Sequence, residues 1–338
     1  MSRSASRIFL GFVLVLLIGL CPEGFPNVPV RSFRLTYEVS LPAIPNEAGE
    51  LKIWVPLSRS DEVQRIRRRV IQVPYAYRLT KDPQYGNEIL FLDLKRPLPP
   101  ALDLAIHYDA EVREVRPAME RAEPFIPDEV RRRLALHLES NQLMVVDDGI
   151  RELARSVTAH AGTPAEKARA IFQYVIERMR YEKETPGWGQ GDTLRACAVG
   201  AGNCTDFHSL FISLARASGI PARFAIGLPV PQKPEGEIPG YHCWAEFYLQ
   251  GAGWVPVDAS EAWKDPQRTD YFFGTYDPNR LTVSLGRDVQ LEPKPASSDF
   301  INIFFFPYVE LDGMPLEKGQ FQTRFRFRDL NNKGGVDA

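Results

Sequence analysis

Residues 200–211 read GAGNCTDFHSLF, and they place a cysteine at what looks like the start of a helix. A glycine-rich turn leads into Cys204, and apolar residues then recur at helical spacing. Asn203 is a preferred helix N-cap residue, and Asp206 follows three residues later. The pattern predicts an amphipathic helix that begins at Cys204 and ends at Gly219.

Cys204 is a candidate nucleophile because of this position. A thiol reacts as its thiolate, and the free N–H groups and the dipole at a helix start stabilise an anion. Asp206 acts in the opposite direction, because a nearby carboxylate disfavours a second negative charge. Cys204 therefore needs a general base.

The sequence offers five histidines as candidate bases: His107, His137, His160, His208 and His242. His208 lies one helical turn beyond Cys204 and is predicted to be a packed or half-exposed helix residue. His242 opens a predicted strand, and Asp258 ends the next one after a tight turn at 250–253. A hairpin of this kind would let Asp258 accept a hydrogen bond from His242 and orient its ring. We therefore predict that Cys204, His242 and Asp258 act together.

Four motifs resemble the transglutaminase-like superfamily of cysteine enzymes, in that family's order. They are GNCTDFHSLF (202–211), GIPAR (219–223), HCWAEFY (242–248) and GWVPVDAS (253–260). The resemblance covers roughly 160–275, and it implies that Cys204 is the nucleophile, His242 the base and Asp258 the orienting acid. It also implies a papain-like α+β core, in which the cysteine helix packs on an antiparallel sheet that carries the histidine and the aspartate.

The remaining sequence suggests how the chain is organised around this core. Alternating apolar and polar residues with no intervening helix predict an antiparallel β-sandwich domain at 31–118. The catalytic core is expected at 120–290. Strands at 291–330, including 301–311 and 321–330, are expected to complete or cap that core, and 331–338 is expected to be a disordered tail.

The first 21 residues resemble a signal peptide or membrane anchor. Arg3 and Arg7 precede an unbroken apolar run at 8–20, which is too short to cross a bilayer comfortably. We therefore expect export to the periplasm or cell envelope, with membrane association only through this N-terminal segment. Cys21 leaves a lipoprotein as an alternative.

Composition limits the range of functions. The chain has 338 residues, room for two domains, and a formal net charge of −2, so nothing points to a nucleic-acid partner. Arginine clusters within 65–69 and 131–133 fit either solvated faces or an anion-binding patch.

The cysteines outside the N-terminal segment are Cys197, Cys204 and Cys243. An odd number in an exported protein predicts at least one free thiol. Cys243 lies on the opposite strand face from His242, and it fits either a small core residue or a disulfide partner of Cys197. A metal site built from these cysteines, His208 and His242 is a weaker alternative, because the sequence has no C-x-x-C motif. We predict no metal and no cofactor.

An oxyanion hole requires hydrogen-bond donors near the nucleophile. The Cys204 backbone N–H is one candidate. The indole N–H of Trp188 and the side chain of Gln190, both in the glycine-rich loop before the helix, are candidates for the second donor or for the cleft wall. The Pro- and Gly-rich loop 228–241 is expected to border the cleft.

The sequence thus predicts an exported thiol acyl-transfer enzyme that acts on amide bonds of peptide or protein substrates through a thioester. Peptidase, amidase and transglutaminase chemistry all remain open. The alternative is a non-catalytic envelope module with the same fold that binds peptides. Fast alkylation of Cys204, relative to Cys197 and Cys243, is expected only of the enzyme.

Overall fold

The structure is a computed structural model, and it describes residues 28–317 and 319–330. The predicted signal peptide or anchor at 1–21 and the predicted tail at 331–338 lie outside the described residues.

The first third of the chain forms six strands. Inward-facing residues of the long first strand alternate strictly with outward ones, so Leu35 and Val39 are buried while Thr36 and Glu38 are half-exposed. The strands are β1 (Val30–Leu41), β2 (Glu50–Leu57), β3 (Gln64–Gln72), β4 (Tyr77–Lys81), β5 (Glu88–Lys95) and β6 (Leu102–Arg113).

Within the described residues seven α-helices follow, and the third and fifth begin at capping boxes. Thr163 and Glu166 form a reciprocal capping box, with Pro164 at the first helical position. The helices are α1 (Asp128–Arg133), α2 (Asp148–Val157), α3 (Pro164–Arg178), α4 (Thr193–Val199), α5 (Cys204–Ala217), α6 (Ala259–Lys264) and α7 (Thr269–Phe272).

The central helix is α5, and 13 of its 14 residues are buried. Helices α2, α3 and α4 pack on one side of it and the core sheet on the other. Its polar positions therefore need internal partners: Ser213 Oγ lies 2.8 Å from Thr193 Oγ1, and Ser209 Oγ accepts a hydrogen bond from Arg287. The helix is thus enclosed all round, whereas the sequence pattern predicted an amphipathic one.

The core sheet packed on α5 has four antiparallel strands. Its strands are β9 (Ala222–Pro229), β11 (His242–Leu249), β12 (Gly253–Val257) and β13 (Arg280–Leu285), in the order β12-β11-β9-β13. A short parallel pair, β7 (Arg180–Tyr181) and β8 (Ala201–Gly202), leads into α5, and β10 (Glu235–Ile238) lies in the loop between β9 and β11.

The C-terminal strands do not complete or cap the core as we expected, but join the N-terminal sandwich. They are β14 (Tyr308–Leu311), β15 (Met314–Pro315) and β16 (Gln322–Asp329). β14 pairs with β2, and β16 pairs with β1 along eight residues. The sandwich sheets run β10-β16-β1-β6-β3 and β15-β14-β2-β5-β4, so the loop ahead of β11 also contributes one edge strand.

The predicted strand at 301–311 is wrong over its first half. Only its last four residues form a strand, directly after Pro307, which cannot donate a backbone hydrogen bond. Phe304 is buried in the cluster around Trp54, whereas Phe305 is buried in the main core. Phe304 and Phe305 therefore connect the cluster around Trp54 with the main core.

Candidate active site

Cys204 is the first residue of α5 and is only 3% exposed. The Asn203 side chain accepts a hydrogen bond from the Thr205 N–H at 2.8 Å, and the Asp206 carboxylate accepts one from the Asn203 N–H at 2.9 Å. This reciprocal cap fixes the start of α5 at Cys204, where the helix dipole favours a negative charge.

The predicted hairpin places His242 beside Asp258. β11 and β12 pair as a hairpin, with Leu249 opposite Gly253 and Ala245 opposite Val257, and this register permits the predicted contact. Asp258 follows the last paired residue of β12, and its Oδ2 lies 2.6 Å from His242 Nε2. Both side chains are almost fully buried, so this contact is shielded from water.

The two oxygens of Asp258 have separate roles. Oδ1 accepts hydrogen bonds from Ser260 Oγ and the Glu261 N–H, both at 2.9 Å, and so caps α6. Oδ2 contacts His242 and also the guanidinium of Arg280, whose Nη2 lies 2.6 Å away. The sequence did not single out Arg280, and its only signal was a cation at the start of a short strand that alternates apolar residues with Thr282 and Ser284.

His208 lies behind Asp258 and is fully buried. Its Nε2 accepts a hydrogen bond from the Ala259 N–H at 3.1 Å and lies 3.5 Å from Asp258 Oδ1. His208 packs inside the core, as predicted.

The thiol of Cys204 has two neighbours that stabilise its anion. The Cys243 thiol and the His242 imidazole lower the pKa of Cys204 well below the ordinary thiol range, although burial opposes them. Because Asp258 occupies His242 Nε2, the nitrogen left for Cys204 is Nδ1.

His242 and Asp258 are shifted so that both favour the charged form. Burial alone would lower the pKa of His242, but the Asp258 charge and hydrogen bond, together with Cys204, raise it to about 9. Burial alone would raise the pKa of Asp258, but Arg280 and then His242 hold it well below its usual range. The shifts in this buried set therefore all favour the charged forms: thiolate, imidazolium, carboxylate and guanidinium.

The sequence did not predict the contact between Cys204 and Cys243. Cys243 is fully buried, its Sγ lies 3.6 Å from Thr205 Oγ1, and burial raises its pKa well above the ordinary range. Cys197, Cys204 and Cys243 are all free thiols, so Cys197 and Cys243 form no disulfide. Cys243 packs at the helix start, on the opposite strand face from His242.

The glycine-rich loop that carries Trp188 and Gln190 packs against the start of α5. The Asp206 carboxylate accepts hydrogen bonds from the Gly189 N–H at 2.7 Å and the Gly191 N–H at 3.1 Å. Gly191 has φ +69°, and a Cβ there would overlap the Arg287 side chain, so this position requires glycine. Asp206, which sequence reasoning placed at the helix start and treated as a charge near the thiol, also holds this loop in place.

Both side chains proposed as oxyanion donors lie on this loop and are exposed. Trp188 is 38% exposed, and Lys183 Nζ lies 5.9 Å from its ring centroid. The Gln190 backbone oxygen accepts a hydrogen bond from Arg287 at 2.7 Å. Within the described residues, neither the Trp188 indole N–H nor the Gln190 side chain forms a hydrogen bond.

A thiol at a helix start, faced by a histidine and an aspartate on an antiparallel hairpin, is the arrangement of a papain-like α+β fold. The family profile described as "Transglutaminase-like superfamily" matches residues 151–259. The chain belongs to the transglutaminase-like superfamily.

Two comparisons extend this likeness beyond the core. An uncharacterized protein of Haemophilus influenzae is 30% identical over 336 residues, which cover 87% of this chain and 89% of that protein. A solved structure from Cytophaga hutchinsonii, provisionally described as a cysteine protease, superposes with a TM-score of 0.60 at 15% identity. It covers 89% of this chain and 98% of that one, so the two share the whole fold, sandwich included.

Across residues 28–317 and 319–330, no helix is both long enough and apolar enough to cross a membrane.

Proposed function

We propose that this protein is a thiol acyl-transfer enzyme in which Cys204, His242 and Asp258 act as a triad. The carrying observation is the 2.6 Å contact between His242 Nε2 and Asp258 Oδ2 directly behind a thiol at a helix start. The family and the fold support thiol-based catalysis at the level of the superfamily.

In the proposed reaction Cys204 Sγ attacks the carbonyl carbon of an amide bond. His242 then donates its proton to the departing amine, the C–N bond breaks, and a thioester remains. Water or a second amine attacks the thioester, His242 takes a proton from it, and the thiolate leaves. Every proton that moves passes through His242, and Asp258 keeps its ring oriented and its cation stabilised.

The tetrahedral intermediate requires hydrogen-bond donors for its oxyanion. The Cys204 backbone N–H is the first proposed donor, because it lies in the first turn of α5, where backbone N–H groups have no carbonyl partner within the helix. Trp188 supplies the second through its indole N–H, or Gln190 does so through its side-chain amide. Support for this assignment is the packing of their loop against Asn203 and Asp206.

A non-catalytic peptide-binding module is the second candidate, and the buried charges count against it. Burying several ionised groups is a poor way to stabilise a fold, because desolvation offsets most of the attraction between them. A binding module has no use for an ionised thiol that is only 3% exposed. The charges around Cys204 fit a reacting centre.

The proposed substrates are peptides or proteins. Exposed Trp188 and Trp263 lie on the elements beside Cys204, the loop before α5 and helix α6, and they suit an extended chain with apolar side chains. Hydrolysis and transamidation use the same first half-reaction, so they are distinguished by the products alone.

We also propose that the chain is exported to the cell envelope. Support comes from the sequence, with Arg3 and Arg7 followed by the apolar run 8–20. Residues 1–40 fused to a reporter that is active only outside the cytoplasm should give signal. A silent reporter, with a known signal peptide as positive control, would contradict export.

Thiol labelling tests the proposed chemistry without a known substrate. Iodoacetamide at about pH 6 should modify Cys204 much faster than Cys197, because the pKa of Cys204 is lowered while burial raises that of Cys197 to about 11. An activity-based thiol probe should label the wild type but not Cys204→Ala. Mass spectrometry of peptide libraries then identifies cleaved or crosslinked products. Equal, slow labelling of both cysteines would refute the enzyme and favour the binding module.

A further inference from the structure

Asp258 Oδ2 lies between two cations. His242 Nε2 and Arg280 Nη2 each lie 2.6 Å from this single oxygen, while Oδ1 is filled by the two bonds that cap α6. The side chain of Arg280 is 13% exposed and that of Asp258 is 2% exposed. Water therefore screens these contacts little.

From this shared oxygen we infer that Arg280 is a fourth member of the site: a positioning residue that acts through Asp258 and sets how strongly that carboxylate holds the His242 proton. The inference rests on the proposed function, because it gives Arg280 a role only if His242 moves protons. Its chemistry is electrostatic, and Arg280 itself touches no substrate.

The physical reason is the balance of charge on one carboxylate. With His242 alone, a buried Asp258 would bind its imidazolium very tightly, and a strongly held proton is a poor general acid. Arg280 neutralises part of the carboxylate and repels the imidazolium. It therefore lowers the pKa of His242 from the higher value that Asp258 alone would impose.

Arg280 is itself held firmly. Its guanidinium carbon lies 5.5 Å from the centroid of the Trp244 ring, and Trp244 stacks on the His242 ring with centroids 6.3 Å apart. The preceding residue, Asn279, accepts a hydrogen bond from Arg31 of the sandwich at 2.8 Å. Arg280 is thus fixed both by the core sheet and, through its neighbour, by the sandwich.

Other titratable groups face this cluster from the elements packed around it. Around His242 and Asp258 they are Cys204, Cys243 and His208, and around Arg280 they are Asp277, Glu261 and Tyr271. All of them remain in the Arg280 and Arg216 variants that test this inference. A difference between variants therefore reports the charge at position 280.

The expected shift follows from the distance between the two cations. Both touch the same oxygen, so they are within about 5 Å of one another, and at an effective dielectric constant of about 20 this repulsion corresponds to roughly two pH units. Removing the charge should raise the pKa of His242 by about one to two pH units. Cys204 is farther from Arg280, so the pKa of Cys204 should rise as well, but by less.

The rate at which iodoacetate alkylates Cys204, measured as a function of pH, reports both the Cys204 and the His242 titration. The plot has a rising limb at acidic pH and a falling limb at alkaline pH. The rate rises as the thiolate forms and falls as the imidazolium that attracts this anionic reagent loses its proton. In Arg280→Gln we expect the falling limb to move about one to two pH units toward alkaline pH. Arg280→Lys keeps the charge, so its falling limb should stay within about half a pH unit of the wild type.

Arg216→Gln is the matched control, since Arg216 is also a buried arginine but its hydrogen bonds, such as that to the Ala222 carbonyl, lie away from the triad. It should lower stability and leave both limbs in place. Near-UV circular dichroism checks that each variant is folded. If Arg280→Gln does not fold, Arg280→Lys still decides, because a falling limb displaced by about one pH unit or more would overturn the role of charge.

Two further outcomes separate this inference from the proposed function. If Arg280→Gln folds and its profile superimposes on that of the wild type, Arg280 is merely structural and the inference fails while the triad stands. If alkylation of the wild type rises only within the ordinary thiol pH range, Cys204 has no lowered pKa, and the proposed function fails.

Discussion

Asp258→Asn is the substitution that tests the site most directly, because one carboxylate serves three partners. It removes the charge that faces His242 and Arg280, and it leaves an oxygen that can still cap α6. From the sequence alone, a near-isosteric change at a strand end should alter the melting temperature by only a few degrees. The structure changes that expectation.

The stability cost comes from Arg280. Breaking a buried ion pair by removing one partner leaves an uncompensated charge and costs about 3–5 kcal/mol. For a chain of this size that corresponds to a fall in melting temperature of roughly 5–10 °C. The double variant Asp258→Asn/Arg280→Met removes both charges, so it should recover most of this loss.

The chemical effect is a displacement of the Cys204 pH profile. Without the carboxylate, burial dominates the pKa of His242 and lowers it, so the thiolate loses its cation. The acid limb of alkylation should then move toward the ordinary thiol range near about 8.5. For each pH unit that the limb moves, the rate at acidic pH falls about tenfold, and the higher intrinsic reactivity of a more basic thiolate returns about threefold.

The assay combines thermal unfolding with iodoacetamide alkylation across acidic and alkaline pH for the wild type, the single variant and the double variant. The double variant should regain stability while its alkylation profile stays displaced. Superimposable profiles for the wild type and Asp258→Asn would remove Asp258 from the catalytic set. A single variant as stable as the wild type would refute the assignment of a buried, charge-compensating contact with Arg280.

Other changes test separate parts of the structure. His242→Ala should lower the rate of acyl transfer by orders of magnitude while the protein stays folded, whereas His208→Ala should mainly lower the melting temperature. Equal losses of activity in the two variants would mean that the base is misassigned. Asp206→Asn removes an acceptor from the loop amides, so limited proteolysis within 182–191 should become several-fold faster, and an unchanged rate would contradict its anchoring role. Burial holds the pKa of His137 at about 3, so below about pH 6.5 the unfolded chain binds a proton that the folded chain does not. Between about pH 6.5 and 4.5 the free energy of unfolding of the wild type should therefore fall by about 2 kcal/mol more than that of His137→Gln, measured by urea unfolding. Parallel pH slopes for those two proteins would show that His137 does not drive the loss.

The parts of the site predicted from the sequence are those that local chemistry specifies. Asn203 and Asp206 are a cap and its reciprocal acid, and they fixed the start of α5 at Cys204. The turn at 250–253 fixed the hairpin register, because a two-stranded pairing follows once the turn is known. The resulting contact between His242 and Asp258 needed no long-range information.

The parts that were missed depend on pairings between residues far apart in the chain. Nothing near Arg280 indicates that it meets Asp258, since the contact depends on where β13 lies beside β9. Cys243 was placed on the correct strand face, but its contact with Cys204 depends on how α5 packs on that face. Similarly, β16 is an amphipathic strand that would suit either sheet system, and only pairing with β1 along its length decides between them.

Hydrogen bonds from Arg31 tie the sandwich to the segments of the core that carry the site. Arg31 on β1 donates hydrogen bonds to Asn279 at 2.8 Å and to the carbonyls of Val230 and Pro231 at 2.9 and 2.7 Å. Asn279 precedes Arg280, and residues 230–231 begin the loop whose strand β10 joins β16 before the chain reaches His242. One sandwich arginine therefore fixes both the segment that presents the guanidinium to Asp258 and the segment that leads to the histidine.

A buried charge network tolerates little positional error, since its attraction falls quickly with distance while its desolvation cost does not. The sandwich thus holds the backbone on which that network depends, and a core cut free of it would lose the alignment of His242, Asp258 and Arg280 before it lost its own helices.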